Sequence, residues 1–376
     1  MKTLFRYGVR LEWKPKLDAP AVNTVRFPGT LVPIWPRRWL PVVAAVAAAV
    51  LAWSGPVQAH ATPVALTFDD LPMLGLPTSA ADAGHVTDKL LAGLIRHHLP
   101  ATGFVNESKL EGDERPQRIA LLKHWLDAGM DLGNHSYSHL SLTSTPVDAY
   151  IANVARGETV IRALLAARGR VPRWYRHPYL ETGPTLEIRR QFESWLADHG
   201  YRVAPVSMEN SDWMFALPYD DAVRRGDASQ AAHVRQAYLD YTALVVPWYR
   251  QAAIGLLGRE PAFVFLLHAT RLNSDSIDAL AHILRANHLH GVTLDRALAD
   301  PAYAIADTYA GPDGIGWLER WSLTMGATLP WATLPPLPAD ISAASALLDA
   351  PPVPAPPAVP PVPAPLPATV TGGPTR

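Results

Sequence analysis

Apolar positions along the chain follow two rhythms that take turns. Short runs rich in β-branched, aromatic and other apolar residues occur at Val64–Phe68, Thr102–Val105, Asp131–Gly133, Trp174–Arg176, Tyr201–Val206, Phe263–Leu267 and Val292–Leu294. Between most of them lie longer stretches with the periodic spacing of one helix face: Asp82–His97, Gln117–Ala128, Pro146–Ala167, Thr185–His199, His233–Leu257 and Ser276–Asn287. Sustained strand-then-helix alternation predicts a parallel sheet covered by helices. About seven such units fit a closed or nearly closed barrel better than an open sheet. In a barrel of this kind the chemistry gathers where strands end, and Asp69, Asp70, His177 and His268 each stand just after an apolar run.

The ends of the 376-residue chain depart from this rhythm. Arg37 and Arg38 precede an apolar stretch, Leu40 to Trp53, followed by small residues around Ala59 and Ala61. A basic flank, a short apolar core and small residues describe an export signal. The stretch is short for a spanning helix, which needs about 20 residues, so an uncleaved anchor at 40–53 is the lesser expectation. At the other end Pro351 to Pro367 is nearly all Pro, Ala and Val, which can neither pair into a sheet nor continue a helix. The expected division is an N-terminal extension and export segment (1–61), a catalytic domain (62–332) and a disordered Pro/Ala-rich tail (333–376). The protein is expected to be periplasmic or secreted.

Charge and cysteine content narrow the chemistry. A formal net charge of −1 gives no argument for nucleic acid or an anionic membrane surface, and nothing sets an oligomeric state. The absence of cysteine removes disulfides, thiolate ligands and a thiol nucleophile. What remains is the doubled carboxylate Asp69-Asp70 and the pair His135-Ser136-Tyr137-Ser138-His139. Two imidazoles at this spacing reach one ion from a helix or from a tight turn. With one carboxylate they leave a coordination position open, as in catalytic metal sites, and the second carboxylate is then free to act as general base. An acidic pair after a strand is by itself more often a helix N-cap.

Three further segments follow in order: Arg176-His177-Pro178-Tyr179, Ser211-Asp212-Trp213 and Leu266-Leu267-His268. Together with the first two they resemble the polysaccharide deacetylase family (NodB homology, carbohydrate esterase family 4), over Val64 to Pro301. The resemblance implies an α/β fold, a distorted (β/α)7 barrel. It implies Asp69 as catalytic base and Asp70, His135 and His139 as metal ligands. Arg176 would orient the base and keep it ionised, and the Tyr179 backbone N–H would serve as oxyanion donor. Asp212 would tune His268 as general acid, while Trp213 and Leu266 would wall the acetyl pocket. The implied cofactor is one divalent ion, zinc by default, with cobalt, nickel, manganese and iron also accepting such ligands. The implied substrate is an acetylated polysaccharide or oligosaccharide, with acetyl removed from N-acetylhexosamine units of a cell-envelope or extracellular glycan. An O-acetyl esterase acting on a glycan and a non-catalytic glycan-binding module are the competing readings.

Two local features depart from the family pattern. Leu180-Glu181-Thr182-Gly183 follows Tyr179 where many members carry Gly at once. A polar, helical insertion from about Pro218 to Leu257 either caps the barrel mouth or decorates a surface. His177 either faces the site or packs outward, and among the tryptophans only Trp213 has a motif behind it.

Overall fold

The computed structural model describes residues 61–76 and 78–349. The export segment expected before Ala61 and the Pro-rich run from Pro351 lie outside them. Strands β1 (Thr62–Leu71), β2 (Ala101–Val105), β3 (Asp131–Asn134), β4 (Trp174–Tyr175), β5 (Arg202–Val203), β6 (Met208–Glu209) and β7 (Phe263–His268) pair in the order β5-β4-β3-β2-β1-β7-β6. β8 (Leu289–Gly291) adds to the first residues of β1, and every pairing is parallel. Helices α1 (Ala80–Arg96), α2 (Arg115–Asp127), α3 (Val147–Arg156), α4 (Thr159–Ala166), α5 (Leu186–Asp198) and α6 (Asp212–Arg224) are followed by α7 (Ala228–Leu257), α8 (Arg271–Ala286), α9 (Leu294–Leu298), α10 (Trp317–Thr324) and α11 (Ala339–Asp349). Among the described residues no helix is long and apolar enough to cross a membrane.

The side-chain period of two sorts each strand between an outer and an inner face. On β1, Val64, Leu66 and Phe68 join Phe263, Phe265 and Leu267 of β7 in the main core beneath the helices. Ala65 and Val264 point the other way and pack with Phe104, Trp174, Ala204 and α9 residues Leu294 and Ala297. That second cluster is an apolar floor inside the curled sheet, so polar residues further along the same strands face its other end. The sheet curls as a distorted barrel but β5 and β6 do not pair. The C-terminal segment crosses this seam: the Trp317 N–H donates to the Val206 carbonyl, and the buried Arg320 guanidinium donates to Leu180 O, Thr182 Oγ1 and Asp307 Oδ2.

Several elements differ from the sequence reading. The last strand is Leu289–Gly291 rather than Val292–Leu294, because Thr293 Oγ1 accepts the Arg296 N–H and caps a helix there. The stretch Pro146–Ala167 forms two helices, broken where a Cβ on Gly157 would lie 2.5 Å from the Ser136 carbonyl carbon. Only Arg202–Val203 of the expected Tyr201–Val206 run is strand. The folded part also passes residue 332. The segment from Ala339 to Asp349 has no proline and buries Ile341 against α6 and α7 residues, so it is helix rather than extended tail.

Candidate active site

At the open end of the sheet the inward residues become polar one layer above the floor. Arg176, fully buried at the end of β4, donates from Nη2 to Thr67 Oγ1 at 3.0 Å and reaches Asp69 Oδ2 from Nη1 at 3.5 Å. Its guanidinium also lies 4.7 Å over the Phe104 ring. Arg176 was expected to keep Asp69 ionised. Burial outweighs the guanidinium, and the Asp69 carboxyl is pushed up to about 6, which suits a group that must accept a proton near neutrality.

The metal-type triad is assembled by a tight turn and not by a helix. Asn134 Oδ1 accepts the Ser136 N–H, Ser136 Oγ accepts the His139 N–H, and Asn153 Oδ1 accepts the N–H groups of Tyr137 and Ser138. Gly157 allows the turn to lie directly on the end of α3. His135 Nδ1 donates to the Arg176 carbonyl at 2.9 Å, which leaves its Nε2 lone pair for a ligand. Asp70 Oδ1 stands 3.9 Å from His135 Nε2 and 3.8 Å from His139 Nε2, and the three ligand atoms lie within 4.8 Å of one another. Ligands at about 2.1 Å from one ion stand roughly 3.4 Å apart, so a small inward shift closes the set.

The charge states agree with that use. Burial, with His139 beside it, holds His135 well below its ordinary value, and burial lowers His139 to about 4, so both imidazoles are neutral. Burial opposes ionisation of Asp70, but Lys109 and the two histidines outweigh it and hold the carboxyl far below its usual range. Asp70 Oδ1 is buried without a hydrogen bond, although Lys109 Nζ lies 3.2 Å away as a misaligned ion pair. A neutral–neutral–anionic N/N/O set with an orphaned oxygen fits a divalent ion.

Across the mouth, His268 Nδ1 donates to Asp212 Oδ1 at 2.8 Å. Burial alone would lower this imidazole, yet the Asp212 carboxylate reverses the balance and raises it to about 9. Asp212 is the first residue of α6, where the helix dipole favours its negative charge. Glu209 of β6 stands in register with Leu266 and therefore on the same inward face. Burial first, and then Asp212, raise Glu209 to about 6.

Leu266 packs with Leu180 and Val206 as a small buried apolar patch, whereas Trp213 packs, half-buried, on the α6–α7 cluster. Tyr179 and Leu180 both have φ 57°. Left-handed non-glycine backbone recurs at Asp70, Ser136, His139 and Ser211. Strain of this kind costs of order 1 kcal/mol per residue and persists where the surroundings enforce it. His177 packs outward, buried against Tyr175 and Phe192, so it takes no part in the site. Lys109, Glu209, Leu180 and Val206 are the local residues that sequence reasoning missed. Only an inward strand position beside Leu266 could have pointed to Glu209.

Residues 57–204 match the family model described as polysaccharide deacetylase. A peptidoglycan-N-acetylglucosamine deacetylase from Bacillus cereus is 30% identical over 162 residues, 43% of this chain and 50% of that protein. The match thus spans half the length of that relative. A family 4 carbohydrate esterase from Streptomyces lividans in complex with acetate is 21% identical, with 64% of this chain and 97% of that one aligned at a TM-score of 0.40. A family 4 pseudoenzyme from Bacillus anthracis is 16% identical, with 63% and 65% aligned at a TM-score of 0.43. Asp212, Trp213, Leu266 and His268 lie beyond the matched residues of the family model.

Proposed function

We propose, for a chain whose residues 57–204 belong to the polysaccharide deacetylase family, that this site is a metal-dependent hydrolase removing acetyl from N-acetylhexosamine units of a cell-envelope glycan. The observation that carries the reading is the convergence of two separate devices on one cleft. One is the Asp70–His135–His139 set with Asp69 beside it; the other is the Asp212–His268 pair facing both carboxylates.

Asp70, His135 and His139 would hold the ion. A divalent ion bound there polarises an acyl oxygen and makes a coordinated water more acidic. Asp69, buried and unpaired at Oδ1, takes the proton from the attacking water. The Tyr179 N–H, turned by its left-handed backbone, donates to the oxygen that becomes negative. His268, cationic beside Asp212, gives its Nε2 proton to the departing nitrogen, so the amine leaves neutral and acetate remains. The Leu180–Val206–Leu266 patch takes the acetyl methyl group. Both proton-transfer roles have an occupant, which argues against a binding module. The export segment expected within residues 1–61 would accord with a substrate outside the cytoplasm.

Acetate release by the metal-loaded full chain tests the reading against peptidoglycan, chitooligosaccharides, acetylated xylan and a small acetyl ester. Peptidoglycan is the first substrate to try, given the activity named for the Bacillus cereus relative. Release from an N-acetylated glycan is the expected result. Release only from O-acetylated substrates would make the protein an esterase, and no release from any would favour a binding module.

A further inference from the structure

The helical insertion contributes Tyr238 to a chain of buried hydrogen bonds that ends on Asp212. Asp212 is 1% exposed, and its two oxygens are used differently. Oδ2 accepts the His268 N–H at 2.7 Å and the Asn273 side-chain amide at 2.5 Å, which leaves Oδ1 for the His268 ring. The same Asn273 amide also donates to the His268 carbonyl at 2.8 Å. Asn273 is held from both sides. Its backbone N–H is capped by Thr270 Oγ1, and its Oδ1 accepts the Tyr238 hydroxyl at 2.6 Å.

The direction of that last bond matters. Asn210 donates from Nδ2 to the Tyr238 oxygen and to Thr242 Oγ1, each at 3.0 Å, and Thr242 in turn donates to the Tyr238 carbonyl. With its lone pair engaged by Asn210, the Tyr238 hydroxyl has one proton to give, and Asn273 Oδ1 receives it. A carbonyl oxygen facing Tyr238 obliges the amide nitrogen to face Asp212. Asn210, Tyr238, Thr242 and Asn273 are each at most 1% exposed, so water does not compete for these bonds.

We propose that Tyr238 and Asn273 are positioning residues, through which α7 and α8 clamp Asp212 and thereby fix the ring orientation of His268 and the nitrogen that keeps its proton once Nε2 has given its own. The proposal rests on the reading of His268 as the proton donor. If burial of a carboxylate were all that had to be satisfied, any donors would serve. Here the donors occupy Oδ2 and leave Oδ1 to meet Nδ1 of the imidazole, so Nε2 is the ring nitrogen left for the cleft. The other titratable groups facing His268 are Asp69 and Asp70 on β1, Glu209 on β6 and His139 in the turn after β3. None of them bonds to Asn273 or Tyr238 among the described residues.

The test is solvent exchange of the His268 Nδ1 proton by NMR in the full chain, beside steady-state acetate release. His268→Gln assigns the signal by its loss. Tyr238→Phe removes one oxygen and Asn273→Ala removes the amide. Each is expected to speed exchange at least tenfold and to lower kcat at least tenfold, with KM within twofold. Val245→Ala trims a buried neighbour on the same helix; it is expected to lower Tm and leave both readouts alone. Unchanged exchange and kcat in Tyr238→Phe would overturn the clamp, and so would equal effects from Val245→Ala. If Asn273→Ala does not fold, Tyr238→Phe decides. If the wild-type chain releases no acetate from any glycan, the catalytic reading falls, while the exchange rate still decides whether the clamp exists.

Discussion

His135 Nδ1 donates to the backbone carbonyl of Arg176 at 2.9 Å, so one residue serves both halves of the site. Its carbonyl orients a metal-type ligand and its guanidinium reaches the carboxylate assigned as base. The two tasks separate on mutation. Arg176→Lys keeps the carbonyl and a positive charge but loses the planar fork shared between Thr67 and Asp69. Acetate release is expected to fall at least tenfold, about 1.4 kcal/mol in the barrier. Metal content by elemental analysis is expected to stay at the wild-type value; joint loss of both would show that the side chain also supports the ligand set.

The pH profile follows from the acid. With His268 as the proposed donor, activity is expected to be lost as pH rises through the His268 value, which Asp212, working against burial, raises to about 9. Asp212→Asn removes the raising charge and leaves burial, so the alkaline limb of kcat/KM is expected to move down by at least about one unit. Glu209→Gln takes away a more distant negative charge, and a smaller downward shift is expected. An unmoved limb in Asp212→Asn would remove His268 from the donor role.

A third expectation concerns packing behind Tyr179, the proposed oxyanion donor. A Cβ added to Gly314 would lie 1.6 Å from the Tyr179 carbonyl oxygen, a distance no small adjustment relieves. Gly314→Ala must displace Tyr179 and Leu180, which already hold left-handed backbone. A fall in kcat of roughly tenfold is expected with metal content intact. Wild-type kcat in this variant would mean that the Tyr179 backbone takes no part.

What the sequence revealed, and what it hid, divides along physical lines. Asp69, Asp70, His135 and His139 were legible as a doubled carboxylate followed by a closely spaced imidazole pair, whereas Arg176, Asp212 and His268 gained their roles only through the resemblance to the polysaccharide deacetylase family. Their convergence in the structure rests on the same alternation that predicted the barrel. Leu180 and Val206 were invisible, since an apolar residue in a loop has no chemical signature. The strained backbone at Asp70, His139 and Tyr179 leaves no trace in composition, because none of these positions is glycine. Two-residue strands such as Met208–Glu209 are too short to show a period. Asn273 and Tyr238 lie 61 and 26 positions from Asp212, and only the fold brings them together.

The triad itself makes a separable claim about the ion. His139→Ala removes one of three ligand donors and opens the set. Metal retained after dialysis is expected to fall at least tenfold, with the near-UV spectrum of the fold preserved. Full retention would place the ion elsewhere.

The proposed division between base and metal ligands is tested by Asp69→Asn, assayed for bound metal and for acetate release from N-acetylated glycan in the same preparation. Asp69 lies beside the ligand set without belonging to it. Metal is expected at the wild-type stoichiometry and acetate release reduced at least a thousandfold, about 4 kcal/mol in the barrier. Acetate release close to wild type in the metal-loaded variant would contradict that division.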